Sequence, residues 1–421
     1  MEHDNYVVHI IVQKKEIDLQ HPLNIYSNYK SLGTGFYIDH GLILTCYHVV
    51  KNNLEILVSV KLIDNFYDKI KAKIKYIFPD DDLAIIELET TENIIYNIYD
   101  YYILTNKDNN SDVNTVGFPL NSTSLKINKG VISGFQDSNI QTDSTLNEGN
   151  SGGPLIYNNK VIGINQSKLN GVSNTGYAIP IFRFLIFYKL HKNKLILINN
   201  KPKFLFKYQD NLQKIYNFKY GVRISQIHNK SVLHKYNIKV NDLLLEINKN
   251  KIDNEGNIKF IFFPEKILLS DLYLWFIPGD TLIFTIYSVE RKTIIDIPVI
   301  AEYVEVDLMD YYLENNIQYD YEKNGLIFSI FTNYHLKKIS ELDISLNQLV
   351  KITSRFIDIN KKFTIYLSDL IYSKLKFTNY PINEIITHIN DIEIIDYNTF
   401  IQCMAKPITS FITMDNEIYY I

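Results

Sequence analysis

The residues best suited to chemistry stand in three short stretches, in the order His, Asp, Ser. In Asn147-Glu148-Gly149-Asn150-Ser151-Gly152-Gly153-Pro154-Leu155, glycines bracket one serine and an apolar run follows. A serine nucleophile needs its Oγ on a tight, exposed loop, and the oxyanion that forms on attack needs backbone N–H groups aimed at it. Glycine supplies the φ > 0 conformations that such a loop demands. Ser151 is therefore the candidate nucleophile, with the N–H groups of Gly149 and Ser151 as oxyanion donors. A Gly-rich hairpin without chemistry has the same local composition, so the assignment depends on the other two stretches.

His48 follows Leu42-Ile43-Leu44-Thr45-Cys46-Tyr47, a buried-strand pattern that runs into a short turn or helix. A base at a strand end is held rigidly, and that context separates His48 from the other nine histidines of the chain. The third stretch, Pro79-Asp80-Asp81-Asp82-Leu83-Ala84-Ile85-Ile86, offers three carboxylates before a buried strand. A carboxylate that holds the imidazole in one tautomer must be partly buried. Asp82 abuts the apolar run and is preferred; Asp80 and Asp81 are expected to be solvated loop charges. Cys46 is expected to be a small buried hydrophobe rather than a nucleophile.

These residues need rigid elements to hold them. Up to about residue 180 the chain shows short β-type runs broken by turn residues, among them 6–12, 35–38, 42–45, 56–60, 72–78, 83–88, 131–134, 155–157 and 161–164. Many short strands at this spacing indicate a β-barrel or sandwich. A packed helix over 182–190 closes this part. The polar, proline-containing Asn199-Asn200-Lys201-Pro202-Lys203 reads as a linker. Beyond it, strands at 221–227 and 243–248 are echoed by 325–330 and 385–391, a weak internal repeat of duplicated modules.

Composition agrees with this organisation. A chain of 421 residues is long for one core and predicts two or three domains. Hydrophobic residues make up 46% and charged residues 21%, and 43 Lys+Arg against 47 Asp+Glu give a net charge of −4. That balance folds, and it argues against a broad nucleic-acid surface. Twelve of the 16 glycines precede residue 180, which places the demanding turns in the first part. Two distant cysteines, Cys46 and Cys403, imply no disulfide framework and fit a reducing compartment, the cytoplasm or the nucleus. The first apolar run, 6–12, is broken by His9 and followed by Lys14 and Lys15, so it reads as neither signal peptide nor membrane span.

Taken together, Gly33-Thr34-Gly35-Phe36, Leu44 to Val50, Asp82-Leu83-Ala84, Gly130 to Gly134, Thr142-Asp143, Gly149 to Pro154 and Gly176 to Pro180 resemble the HtrA/Deg serine proteases. Gly221-Val222-Arg223-Ile224, Asp242 to Leu245 and Ile252 to Gly256 resemble the first PDZ domain of plant-type Deg proteases, and the end of the chain resembles their divergent second one. The resemblance implies a mainly β fold: a chymotrypsin-like double β-barrel over 1–195, followed by PDZ-like α+β domains over 196–305 and 306–421. It implies ATP-independent endopeptidase activity on unfolded or damaged proteins, with His48, Asp82 and Ser151 as the triad, no metal or cofactor, and assembly into trimers or their multiples.

It also implies a primary specificity pocket with Thr145 at its base and Ile164, Asn165 and Gln166 along a wall. No Asp stands at that base, so small aliphatic residues are expected before the cut. The peptide-binding loop of the first PDZ domain falls at Phe204-Leu205-Phe206, which has no glycine. Two other readings compete: a non-proteolytic PDZ scaffold or chaperone, and a processing protease with one narrow substrate.

Overall fold

The structure, a computed structural model, describes residues 3–16, 26–105, 108–136, 139–166, 175–191, 206–209, 216–227, 231–259, 266–269, 279–302, 318–332, 363–375 and 379–421. The Asn199–Lys203 stretch lies outside them. The chain divides into two compact units. One comprises Met1–Val12, Lys30–Val50 and Glu55–Glu305, the other Gln13–Tyr29, Lys51–Leu54 and Val306–Ile421.

Six strands come first in the chain, most of their residues in the first unit: β1 (Val7–Glu16), β2 (Tyr26–Asp39), β3 (Leu42–Cys46), β4 (Asn53–Lys61), β5 (Tyr67–Phe78) and β6 (Leu83–Leu88). They close into a barrel in the order β1-β2-β3-β6-β5-β4. The alternation of β4 sends Ile56, Val58 and Val60 inward, while β3 is buried at all five positions. A short helix, α1 (Tyr47–Val50), follows β3 directly.

Six more strands, β7 (Asp112–Gly117), β8 (Lys126–Gln136), β9 (Asn139–Thr142), β10 (Pro154–Tyr157), β11 (Lys160–Gln166) and β12 (Gly176–Pro180), close a second barrel in the order β10-β11-β12-β9-β8-β7. Its core includes Val113, Ile132, Ile140, Leu155 and Ile162. Helix α2 (Ile181–His191) continues from β12. The fold is the chymotrypsin-like double β-barrel expected from the motifs.

The same unit holds a further sheet in the order Phe206–Gln209, Val222–Ile227, Leu243–Ile247, Thr281–Ser288, Thr293–Ile300. Its core, with Val222, Leu244, Phe284 and Ile286, also receives Phe135 of β8 and Phe182 of α2. The second unit carries its own sheet, Asp320–Lys323, Leu326–Ile330, Ile365–Leu370, Ile385–Ile389, Ser410–Thr413 and Ile418–Tyr420, and a helix, α3 (Tyr397–Met404). The strands at 243–247 and 385–389 each turn back on a two-residue loop, Asn248-Lys249 and Asn390-Asp391, with φ > 0 at both residues. That is the turn whose twist suits a tight hairpin. The strand beside 385–389 that corresponds to 222–227 is 365–370, so the expected pairing of 222–227 with 326–330 is off by one strand.

Candidate active site

Antiparallel pairing of β3 with β6 sets Cys46 opposite Leu83. The residues just beyond these ends therefore meet, and the Tyr47 N–H carries the ladder one step further by donating to the Asp82 carbonyl at 2.9 Å. Asp82 caps the 3₁₀ turn Pro79–Asp81 in a left-handed conformation, φ 54°, ψ 37°. Aspartate tolerates that region better than most residues. Its carboxylate is thereby turned onto His48, where Oδ1 accepts from the His48 backbone N–H at 2.8 Å and Oδ2 lies 2.6 Å from Nδ1. The imidazole is held at two points of one residue, which fixes both its position and the nitrogen that faces the carboxylate.

Ser151 sits on the link from β9 to β10, buried among glycines. The β10–β11 ladder extends into this loop, with Gly152 N–H on the Asn165 carbonyl and Asn165 N–H on the Gly153 carbonyl, both at 2.8 Å. At Gly152, φ is +87° and a Cβ would come within 2.2 Å of the Thr34 carbonyl and of Thr45 Oγ1. Only glycine lets the serine loop close this tightly against the first barrel. The Leu120 N–H donates to the Glu148 carbonyl at 2.8 Å. In a trans peptide the next N–H points the opposite way, so this bond sets the direction of the Gly149 N–H. Among the described residues the N–H groups of Gly149 and Ser151 and the Ser151 Oγ have no hydrogen-bond partner, leaving them available to a ligand.

Thr34, passed over in the motif reading, ties this loop down. Its N–H donates to the Ser151 carbonyl at 2.9 Å, and its Oγ1 donates to the Gly149 carbonyl at 2.6 Å and accepts from the Phe118 N–H at 3.0 Å. A hydroxyl residue between two glycines, Gly33 and Gly35, was the available signal.

Asp81 is not the solvated charge expected of it. Its side chain is fully buried and bound by the Arg183 guanidinium of α2 through Nε at 2.9 Å and through Nη2; Arg183 Nη1 also reaches Asn139 Oδ1 at 3.1 Å. Cys46 is fully buried, as expected. Burial, reinforced by the Asp82 charge, pushes its thiol well above the usual range, so it is not a resting thiolate.

The residues read as a specificity pocket part company. Thr145 is exposed, and its carbonyl accepts from Asn128 Nδ2. Ile164 and Asn165 do not line an open wall: both are fully buried, and Asn165 Nδ2 donates to the Pro154 carbonyl at 3.0 Å. One residue on, the alternation of β11 turns Gln166 toward the triad, where Nε2 donates to Asp82 Oδ2 at 3.2 Å. Of the expected peptide-binding loop, Phe204 and Leu205 lie outside the described residues; Phe206 opens a strand and pairs with Ile227.

Residues 33–164 match the family model of the trypsin-like peptidase domain. A serine protease DegP homolog of Plasmodium falciparum is 32% identical over 203 residues, 44% of this chain and 22% of that protein. The mitochondrial protease Do-like 4 of Arabidopsis thaliana is 26% identical over 279 residues, 61% of this chain and 52% of that protein. The chain spans about half or less of the length of these relatives. A solved HtrA-type protease with a bound tripeptide superposes with a TM-score of 0.52 at 17% identity, covering 72% of this chain and 95% of that one. This last likeness concerns the fold. Among the described residues no helix is long and apolar enough to cross a membrane.

Proposed function

We propose that the chain is a serine endopeptidase in which Ser151 attacks the substrate carbonyl. His48 takes the Ser151 proton and delivers it to the leaving amine, and Asp82 holds the imidazole in the tautomer whose far nitrogen is the base. The N–H groups of Gly149 and Ser151 receive the oxyanion. The observation that carries this reading is the doubly anchored Asp82–His48 pair beside a glycine-shaped serine loop with two unpaired N–H groups. Catalytic hydrogen bonds to the nucleophile commonly tighten only when substrate arrives, so a Ser151 Oγ without a partner fits the resting enzyme.

The substrates in this reading are unfolded or damaged proteins, cut without ATP after small aliphatic residues, since position 145 offers no carboxylate to pair with Arg or Lys. The sheets beyond residue 196 serve as PDZ modules, and the chain assembles as a trimer or a multiple of trimers. The test is hydrolysis of casein by wild type and Ser151→Ala, where loss of the nucleophile is expected to lower kcat by roughly 10⁶-fold. Equal rates would end the assignment, and a peptide library cut mainly after Arg or Lys would end the specificity reading.

A further inference from the structure

We propose that Cys46, His48 and Asp82 form a binding site for a thiophilic divalent cation, zinc above all, whose occupancy reversibly inhibits the enzyme. The inhibitory part rests on the serine endopeptidase reading; the binding part does not. The Cys46 Sγ, a ring nitrogen of His48 and a carboxylate oxygen of Asp82 all lie within 4.8 Å of one another. A tetrahedral zinc ion with Zn–N and Zn–O bonds near 2.0 Å and a Zn–S bond near 2.3 Å needs donor separations of about 3.3–3.6 Å. The Nδ1···Oδ2 distance of 2.6 Å must therefore open by less than about 1 Å. Sulfur, imidazole nitrogen and carboxylate oxygen together are a donor set that suits zinc, and three protein ligands leave the fourth position to water.

The surroundings hold these donors in place. Asp82 Oδ1 is kept by the His48 N–H and Oδ2 by Gln166 Nε2. The thiol donates to the Asn165 carbonyl at 3.3 Å, which holds the sulfur in place.

The Cys46 thiol gives its proton to solvent and its sulfur bonds the metal. The His48 Nδ1 proton moves to Nε2 as Nδ1 becomes a ligand, so the ring stays neutral. The nitrogen needed to accept the Ser151 proton then already carries hydrogen, and attack is blocked.

Cobalt(II) is the probe, because a Co–thiolate bond produces a near-ultraviolet charge-transfer band that nitrogen and oxygen ligands do not. The full chain titrated with Co²⁺ is expected to develop that band, and Zn²⁺ to abolish it by competition. The chain has only two cysteines. Retention of the band in Cys403→Ser therefore assigns it to Cys46 even if Cys46→Ala fails to fold; a folded Cys46→Ala should lose it. Zinc should inhibit casein hydrolysis, chelation by EDTA should restore it, and Cys46→Ala should need at least tenfold more zinc for half-inhibition. No band in wild type, or a band lost with Cys403 and kept without Cys46, overturns the site. A band in a protein that hydrolyses nothing would leave the site standing and remove the endopeptidase reading.

Discussion

At the scale of single residues, the chemistry and its support differ in how far they can be read ahead. The placement of His48, Asp82 and Ser151 is legible because each sits at a strand end or in a glycine loop, where local pattern fixes local geometry. Thr34 was not, because its work is done 84 and 115 residues away in the chain, on Phe118 and Gly149. Such a long-range partner has no trace in local spacing. Thr34→Val keeps the shape and removes the hydroxyl, leaving a buried N–H and a carbonyl unpaired. The expected cost is about 1–3 kcal/mol in urea unfolding. With Gly149 released, the oxyanion donors lose their alignment, and kcat should fall by roughly 10²-fold or more while KM changes little. Unchanged kcat in a folded Thr34→Val would show that the loop needs no such clamp.

At the scale of elements, the strands were read well and the turn between β5 and β6 was read in part. Three consecutive aspartates look alike in sequence, and proximity to the apolar run was enough to choose Asp82. It was not enough to show that Asp81 is buried, because its partner Arg183 arrives on α2, 102 residues later. The buried pair is the reason an arginine stands in the apolar first turn of α2. Through it α2 fixes the 3₁₀ turn that presents Asp82. Arg183→Met takes the guanidinium away from a buried carboxylate, at a cost of about 3–5 kcal/mol. Combining it with Asp81→Asn should recover more than half, because the stranded charge is removed. A loss well under 1 kcal/mol for Arg183→Met would mean that water reaches the pair.

At the scale of the whole molecule, the two six-stranded barrels and the two larger later sheets of the described residues follow from runs that alternate or are wholly apolar, and the repeated Asn-containing hairpin marks those later sheets as variations on one plan. What the pattern does not carry is how one barrel bears on the other. There His9 of β1 stacks on Phe118, just past β7, with ring centroids 5.0 Å apart, and the Phe118 carbonyl lies where a side chain on Gly149 would have to go. Burial first, and Lys69 of β5 second, hold the His9 imidazole below its usual pKa of 6.5. The unfolded chain then binds a proton at a higher pH than the folded one does, so stability is full above 6.5 and is lost as pH falls from 6.5 toward the lowered folded value. His9→Gln removes that proton-binding difference. Urea unfolding of the two proteins between pH 7.5 and 5.5 should therefore show wild type losing more stability than the variant. Because His9 stacks on Phe118, whose carbonyl abuts Gly149, casein hydrolysis by wild type should decline on the acid side before global unfolding begins, and less steeply in His9→Gln. Parallel pH profiles for the two proteins would separate His9 from any acid sensitivity of the barrel junction.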